Sequence, residues 1–294
     1  MSGDHQQEAQ VHRDVRVVAV MPVGPGTDPA FVADSLESIR HFVPSSRLVV
    51  MDDTGEGRCD FLRRWLDTTV IATPKQGYLG GLYRTLSRGF EEALHDRFDM
   101  LLKIDTDALI AGDRFVQRAH NAFTKNPMLG CLGVHTRWYD GSHLNTGPVR
   151  YSLTRGLRPR AALKNPRRAM TSAELCFRVL AKRRALGGVV FGGVCVYSER
   201  GIRELRNRGF LGANRFAGLD ILEDHLFGAL LSASGFELGD LDDGGAPLMG
   251  ATWKELPASP HELLEQGIEL IHSTRRWRDL DEGEIRAQFE EARV

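Results

Sequence analysis

The chain has 294 residues, of which 42% are hydrophobic and 26% are charged. These proportions are typical of a globular protein with ample apolar material for a core, and the length suits one large α/β domain or two small ones. The formal net charge of -1 excludes a global electrostatic field that would attract nucleic acid or an anionic membrane.

The cysteines and the N-terminus indicate a cytoplasmic protein with reduced thiols. The four cysteines lie far apart and have no metal-binding spacing: Cys59, Cys131, Cys176 and Cys195. We expect Cys195 to be a core residue because it lies within an apolar run. Residues 1–14 are polar and lack the apolar segment of a secretory signal, so we predict a disordered tail there. No apolar run approaches the roughly 20 residues that span a bilayer.

The first part of the chain, to about residue 125, alternates between strands, loops and helices. Strands are predicted at Val15–Val23, Arg47–Met51, Thr69–Ala72 and Asp99–Ile104. Helical patterns are predicted over Asp28–Val43, around Cys59–Leu66, and after Gly77 to about His95. This alternation predicts an α/β fold with a mostly parallel sheet flanked by helices.

Three of these strands end in loops of distinctive composition. The loops are Gly24-Pro25-Gly26, Asp52-Asp53 and Asp105-Thr106-Asp107. Parallel strands would bring all three loops to one edge of the sheet, which is where open α/β sheets bind ligands. The glycines form neither a dinucleotide-binding fingerprint nor a phosphate-binding P-loop, so both of those folds are disfavoured.

The segment Met100–Ile110 places two carboxylates, Asp105 and Asp107, directly after a buried strand. Two such acids suit Mg²⁺ or Mn²⁺, which take oxygen ligands and share them with substrate phosphates. Taken alone, the same residues are more typical of an Asx turn or a helix cap. These residues by themselves therefore leave both interpretations open.

Beyond Met128 the pattern changes. A strand is predicted at Met128–His135, a loop at Arg137–Pro148 and a second strand at Leu186–Tyr197. Gly192 and Gly193 in that second strand indicate either a close approach of the backbone to a ligand or a neighbouring element, or else a bulge or tight packing. Ser198 caps a predicted helix that extends to Arg208.

A basic segment occupies Arg150–Arg184, which contains eleven lysines and arginines and a single acid, Glu174. Such a charge run is either a solvated, mobile surface or an electrostatic attractor for an anionic substrate. It contains few aromatic residues, which argues against nucleic-acid binding. A transient contact with a membrane surface is a further expectation for this segment.

Leu219–Ser234 has the pattern of an amphipathic helix, with Asp220, Glu223 and Asp224 away from its apolar stripe. Acids in a first helical turn are stabilised by the helix dipole, which is the simple explanation. Three clustered acids exceed what a cap requires, so the alternative is a general base at the lip of a cleft.

The C-terminal part contains one further candidate ligand. His272 follows a short apolar run, and a histidine in such a place more often has a structural role. It is also a candidate third metal ligand. With Arg275 and Arg276 it is a candidate phosphate contact. Asp279–Val294 is predicted to form a terminal surface helix.

Taken together, these passages resemble GT-A nucleotide-sugar glycosyltransferases, especially the inverting, family 2-like enzymes. The matching segments are VVAVMPVGPG, LVVMDDTGEG, LLKIDTDALI and ILEDHLFGALLSASG, with a looser match in PKQGYLGGLYRTLSRGFEEAL. Their order fits over about residues 15–240. The chain departs from the family pattern at Thr54-Gly55, at Gln76 and in the basic segment.

The resemblance implies one GT-A domain over residues 15–278, followed by a C-terminal helix over 279–294. Residues 15–135 would form the nucleotide-sugar-binding half, and residues 136–278 the acceptor-binding half with the basic segment 150–184 inserted. The implied donor-binding residues are Pro22, Val23, Asp52, Asp53, Lys75, Gly77, Gly80, Asp105 and Thr106. Asp107, Asp105 and His272 would hold Mn²⁺ or Mg²⁺, and Asp224 would be the catalytic base with Glu223 orienting it or the acceptor.

The implied activity is metal-dependent transfer of a hexosyl group from a nucleoside diphosphate sugar, with UDP-sugars favoured. The acceptor would be a hydroxyl of a glycan, a lipid or a small molecule. A homodimer is one option for the oligomeric state, which the sequence leaves open. A retaining transferase, a sugar-1-phosphate nucleotidyltransferase and a non-catalytic nucleotide-sugar-binding protein are the alternatives. The nucleotidyltransferase is disfavoured because Pro22–Asp28 contains no basic residue.

Overall fold

The computed structural model describes residues 15–293, so the predicted N-terminal tail and Val294 lie outside the described residues. The strands, in chain order, are β1 (Val17–Val23), β2 (Arg47–Asp52), β3 (Thr68–Ala72), β4 (Met100–Ile104), β5 (Ala108–Ile110), β6 (Leu129–Gly133), β7 (Val194–Ser198), β8 (Glu237–Asp240), β9 (Asp242–Asp243), β10 (Ala246–Pro247), β11 (Met249–Ala251), β12 (Leu270–His272), β13 (Arg276–Trp277) and β14 (Leu280–Asp281).

The helices surround these strands. They are α1 (Pro29–Phe42), α2 (Gly80–Ala93), α3 (Arg114–Lys125), α4 (Gly147–Thr154), α5 (Pro159–Lys164), α6 (Pro166–Ala181), α7 (Glu199–Asn207), α8 (Asn214–Ala217), α9 (Glu223–Ser234), α10 (Pro260–Glu265) and α11 (Glu282–Glu291). Two 3₁₀ turns, Asp60–Arg64 and Arg155–Leu157, complete the elements.

The central sheet has seven strands in the order β3-β2-β1-β4-β7-β6-β8. Neighbouring strands are parallel except where β7 pairs with β4 and with β6. Strand β7 therefore runs against the other six. This arrangement confirms the predicted fold class, an α/β protein with a mainly parallel sheet flanked by helices.

The sheet is buried on both faces, which explains why its strands are almost continuously apolar. In β1, Val18 and Val20 pack into the core on the side of α2 and α9. Val17, Ala19 and Met21 alternate with them and pack into the core on the side of α1 and α3. Cys195 is buried, as predicted, and all four cysteines are buried free thiols.

A second, three-stranded sheet with the order β11-β12-β5 adjoins the end of β4. Strand β5 follows Asp107 and pairs antiparallel with β12, so that His272 lies opposite Ala108. This pairing brings a histidine from the C-terminal part of the chain next to the acids that follow β4.

Two predicted elements differ from the observed ones. The expected strand Leu186–Tyr197 is observed as the shorter strand Val194–Ser198, and residues 186–193 form a loop. The predicted amphipathic helix begins at Glu223, and every residue of it is buried. It is therefore a core helix, which ends at Gly235 in the left-handed conformation with φ 98°.

The basic segment is ordered into helices. It extends from α4 through α6, and α6 packs directly on α9. The segment is therefore helical and packs on the core through α6, while many of its side chains are exposed to solvent. Among residues 15–293, none of the helices is both long enough and apolar enough to cross a membrane.

Candidate active site

A cavity of about 610 Å³ opens at the carboxyl ends of β1, β2 and β4, where the three predicted loops meet. Its wall also contains residues from the loop before β7, the first turn of α9 and the loop after β12. The ionisable groups that face it include Asp53, Asp105, Asp107, Glu223, Asp224 and His272. Five acids and a histidine from distant parts of the chain therefore converge on one cleft.

Most of the predicted site residues line this cavity. They are Pro22, Asp53, Lys75, Gly77, Asp105, Thr106, Asp107, Glu223, Asp224 and His272. Val23, Asp52 and Gly80 do not belong to its wall. These three positions lie outside the cavity wall, and the local structure gives each of them a role of its own.

Asp52 is a buried structural acid. Its Oδ1 accepts hydrogen bonds from the backbone N–H and hydroxyl of Thr54, and its Oδ2 accepts from the backbone N–H of Cys59. Val23 is buried at the end of β1, and its carbonyl accepts from the N–H of Asp53. A Cβ on Gly80 would lie 2.0 Å from the carbonyl oxygen of Ala217, so this glycine permits tight packing of α2.

Asp53 presents a carboxylate to the cavity. Its Oδ1 accepts hydrogen bonds from the Gln76 backbone N–H at 2.8 Å and from the Thr73 hydroxyl at 3.0 Å. Within residues 15–293, its Oδ2 accepts no hydrogen bond. One oxygen therefore fixes the side chain and the other can accept a hydrogen bond from a ligand.

Asp105, Asp107 and His272 form a group of candidate metal ligands. One ligand atom from each of these residues lies within 4.8 Å of the other two. The Nε2 atom of His272 lies 3.5 Å from Oδ1 of Asp107, and His272 Nδ1 is buried with no hydrogen-bond partner among the described residues. Carboxylate oxygens are the ligands that Mn²⁺ and Mg²⁺ prefer, and an imidazole is a common further ligand.

The surroundings of Asp107 keep it ionised, as a metal ligand must be. Burial opposes ionisation of Asp107. The hydrogen bond and charge of His272, the hydrogen bond that the Ser273 hydroxyl donates at 2.7 Å, and the charge of Arg275 together outweigh that effect. The Nε atom of Arg275 lies 2.8 Å from Oδ2. The pKa of Asp107 is therefore held well below the usual range of a carboxyl group.

Lys103 is a buried charged residue beside the cavity that the sequence analysis missed. Its side chain is 2% exposed, and its Nζ lies 2.7 Å from Oδ1 of Asp105 and 3.6 Å from Oε1 of Glu223. Nζ also donates a hydrogen bond to the carbonyl of Gly192. Burial lowers the pKa of Lys103, but the two acids outweigh burial and raise it, so the ammonium group remains charged. The available signal was a lone lysine within the apolar strand MLLKI.

Glu223 and Asp224 lie in the first turn of α9 and are each 8% exposed. Burial raises the pKa of Glu223 to about 7 and that of Asp224 to about 6. The Oδ1 atom of Asp224 accepts a hydrogen bond from the His225 N–H at 2.7 Å. A carboxylate with a pKa near neutrality is suited to proton transfer at physiological pH.

Asp220 does not belong to this acidic pair, so the predicted cluster of three acids is wrong. It lies before α9 with φ 58°, and its side chain is 53% exposed. Its carboxylate pairs with Arg155 at 3.1 Å and Arg168 at 3.5 Å.

Gly192 and Gly193, which precede β7, let the backbone lie close to the side chains of Asp224 and His272. A Cβ on Gly193 would lie 2.2 Å from Cγ of His272, and a Cβ on Gly192 would lie 2.9 Å from Cβ of Asp224. Of the two predicted explanations for these glycines, close approach to neighbouring elements is therefore the observed one. The side chains that they accommodate are those of the candidate site.

Aromatic side chains form part of the cavity wall, and we call Phe191, Trp253 and Tyr78 the aromatic wall. Phe191 packs edge-on against Trp253 at 5.2 Å and against Trp138 at 5.0 Å, measured between ring centroids. Trp253 is 56% exposed and Tyr78, which also lines the cavity, is 69% exposed. Two exposed aromatic rings at a polar cleft provide flat apolar surfaces for a ligand.

No protein-family model matches the chain, and no curated protein matches it. Among solved structures, it is similar to the mannosyltransferase PcManGT from Pyrobaculum calidifontis in complex with GDP-Man and Mn²⁺. The two chains are 16% identical with a TM-score of 0.45. The match covers 81% of this chain and 61% of that chain. A likeness at this level assigns no activity.

Proposed function

We propose that the protein is a metal-dependent glycosyltransferase that moves a hexosyl group from a nucleoside diphosphate sugar to an acceptor hydroxyl. One observation carries this proposal. A candidate metal group, Asp105, Asp107 and His272, shares a cavity with the buried carboxylate of Asp224, whose pKa is raised to about 6. Diphosphate binding and proton removal from an acceptor need these two features side by side.

The donor would lie along the strand ends. Asp53 is suited to accept a hydrogen bond from the nucleotide base through its open Oδ2. The remaining donor contacts that we propose are lining residues of the same wall: Pro22, Lys75, Gly77, Asp105 and Thr106. UDP-sugars are the donors that we favour.

The diphosphate would bind beside Arg275 and the candidate metal group. A divalent cation held by Asp105, Asp107 and His272 would neutralise negative charge that develops on the leaving diphosphate. Arg275 already pairs with Asp107, and its side chain is 62% exposed, so it can turn towards a phosphate oxygen. Lys103 is a positioning residue in this scheme, because its ammonium group holds Asp105, Glu223 and the Gly192 loop together.

Asp224 would act as the general base. The acceptor oxygen forms a bond to the anomeric carbon of the sugar while the bond from that carbon to the diphosphate oxygen breaks. The acceptor proton moves to the Asp224 carboxylate, and the electron pair of the broken bond leaves with the diphosphate. A single direct displacement of this kind inverts the anomeric configuration. Glu223 would orient Asp224 or the acceptor.

The acceptor would enter past the aromatic wall. Trp253 and Tyr78 are exposed at the cavity, and aromatic rings pack well on the apolar faces of sugar rings. We expect Trp253→Ala to raise the KM for the acceptor at least several-fold while leaving the KM for the donor nearly unchanged. Equal changes in both constants would contradict an acceptor role for this wall.

Three aspartate-to-asparagine variants test the proposal. Asp107→Asn and Asp224→Asn should each reduce transfer by at least about a hundredfold, as expected for the loss of a metal ligand or of a general base. Asp220→Asn is the matched control, because Asp220 is an exposed acid outside the cavity and asparagine tolerates its positive φ. Near-normal turnover by both cavity variants would refute the assignment.

The assay products separate the alternatives. A glycosyltransferase releases a nucleoside diphosphate, whereas a nucleotidyltransferase releases pyrophosphate from a nucleoside triphosphate and a sugar 1-phosphate. A binding protein would take up the donor without any turnover. The anomeric configuration of the product, measured by NMR, distinguishes inversion from retention.

A thermal-shift panel identifies the donor class. A ligand that binds only the native state raises the melting temperature by mass action. UDP, GDP and deoxythymidine diphosphate should therefore be compared with and without Mn²⁺. We expect the largest shift with UDP and Mn²⁺ together, and loss of the Mn²⁺ effect in Asp107→Asn.

A further inference from the structure

Helix α6 has apolar side chains on its outward face as well as on its inward face. Its buried face, which packs towards α9, includes Leu175, Cys176 and Val179. The exposed residues at three- and four-residue steps on the other side are Pro166, Met170, Ala173, Phe177 and Leu180. A surface helix normally presents polar residues on its outward face. This exposed row of apolar side chains therefore indicates a surface that binds a partner.

The exposed apolar surface extends beyond α6. Met170 is 72% exposed and Phe177 is 71% exposed, while Leu163 on the adjoining helix α5 is 85% exposed. Six of the ten large hydrophobic side chains that are exposed in residues 15–293 lie between Tyr151 and Leu180. Single exposed apolar residues are common on any surface, but such a concentration marks an interaction site.

Positive charge accompanies this surface. The eleven lysines and arginines of the basic segment outnumber its single acid, Glu174. Four of the arginines form ion pairs: Arg155, Arg168, Arg178 and Arg184. For the other seven, no acidic group of the described residues lies within the 4.0 Å of a salt bridge. Most of the positive charge is therefore available to an external anion.

The placement of two of these arginines strengthens the positive field. Helices α5 and α6 begin with Pro159-Arg160 and Pro166-Arg167, and neither first turn contains an acid. The N-terminus of a helix carries partial positive charge, so a basic residue there is unfavourable for the isolated helix. An anionic surface would offset this repulsion.

We propose that this docking face binds an anionic lipid bilayer. The face consists of Leu163, Met170, Phe177 and Leu180 with the flanking basic residues Arg160, Arg167, Lys182 and Arg183. Apolar side chains on one side of a surface helix enter the boundary between headgroups and acyl chains, and flanking arginines and lysines bind lipid phosphates. A second copy of this chain fits less well, because a two-fold interface would place the same positive groups against each other.

Vesicle co-sedimentation of the full chain tests this binding. The vesicles would contain phosphatidylcholine alone or with about 30% phosphatidylglycerol, an anionic lipid. We expect binding to the anionic vesicles only, weakening as salt is raised. Arg160→Gln with Arg167→Gln should lower the partition coefficient by roughly 10- to 30-fold. Phe177→Ser should lower it by roughly 10-fold or more through lost apolar insertion.

Matched controls lie on another surface of the protein. Leu66 is 79% exposed, and Arg64 is exposed nearby, so Leu66→Ser and Arg64→Gln change the same kinds of side chain elsewhere. We expect both controls to bind vesicles as the unchanged protein does. Because every substituted side chain is exposed, the melting temperature should stay within a few degrees and confirm that each variant is folded.

Three results would overturn the proposal. One is equal affinity for neutral and anionic vesicles, and another is equal loss of binding in the control variants. The third is a dimer in sedimentation velocity that Phe177→Ser dissociates, without vesicle binding, which would make the face an interface between copies of the chain. The experiment contains no sugar donor, so its outcome is independent of the proposed transferase activity.

Discussion

Replacing Asp224 with asparagine should stabilise the protein at neutral and alkaline pH. Burial raises the pKa of this carboxyl from 3.8 to about 6, so its ionised form is unfavourable in the folded state. A shift of about two pKa units corresponds to about 3 kcal/mol of unfolding free energy. Asparagine keeps the shape and an oxygen for the His225 N–H but has no charge to bury.

The sign of the pH dependence follows from proton binding. Between about pH 4 and pH 6 the folded state holds a proton on Asp224 that the unfolded state has released, so the wild-type protein loses stability as pH rises. The advantage of Asp224→Asn should be about 3 kcal/mol at pH 8, about half of that at pH 5, and smaller still at pH 4. For a chain of this size, the gain at pH 8 corresponds to a melting temperature roughly 5 to 10 °C higher.

Differential scanning calorimetry of the metal-free protein across this pH range measures the effect. Asp279→Asn is the control, because Asp279 is an exposed acid in a turn, and surface substitutions usually change stability by less than about 0.5 kcal/mol. A melting temperature at pH 8 that is equal to or below that of the wild type would refute the reasoning. So would a gain that stays constant as the pH falls.

Three further predictions concern the same site. If Asp224 is the general base that we propose, the kcat/KM of transfer should fall about tenfold per pH unit below about pH 6, because the protonated carboxyl cannot accept another proton. A flat profile down to pH 5 would contradict this role. Lys103→Met should lower the free energy of unfolding, measured with urea, by roughly 3 kcal/mol or more, since Asp105 and Glu223 would lose their buried counter-charge. An unchanged free energy of unfolding would contradict this role of Lys103. Gly193→Ala should weaken Mn²⁺ binding, measured by titration calorimetry, because the new Cβ displaces the His272 ring. The control is Gly218→Ala, whose Cβ meets only ordinary contacts at 3.6 Å, and it should leave Mn²⁺ binding unchanged.

The parallel strands and the acids at their ends could be predicted from the sequence. The apolar runs ending at Val23, Asp52 and Ile104 are strands that lie side by side, because apolar continuity in alternation with helices requires a parallel sheet covered on both faces. The parallel direction then places Asp53, Asp105 and Asp107 at one edge. This inference uses only local pattern and chain direction, both of which are present in the sequence.

The tertiary structure decided which polar groups share the cleft and which do not. Asp52 and Asp53 are adjacent in sequence, yet one carboxylate binds its own loop and the other faces the cavity. Asp220 is separated from Glu223 and Asp224 only by the turn that starts α9, and it pairs with surface arginines instead. Spacing along the chain does not determine these partners, because a single backbone turn reverses the direction of a side chain.

By itself, the sequence determined the α/β class, the parallel core and the acids that end its strands. Only the tertiary structure made Lys103 a bridge between Asp105 and Glu223, and brought His272 through β12 to Asp107. The contact of Lys103 with Glu223 and the contact of His272 with Asp107 each join residues more than a hundred positions apart. Such contacts depend on how β5 and β12 pair and on how closely the Gly192–Gly193 loop approaches α9. The spacing of apolar residues along the sequence contains no information about this pairing or this approach.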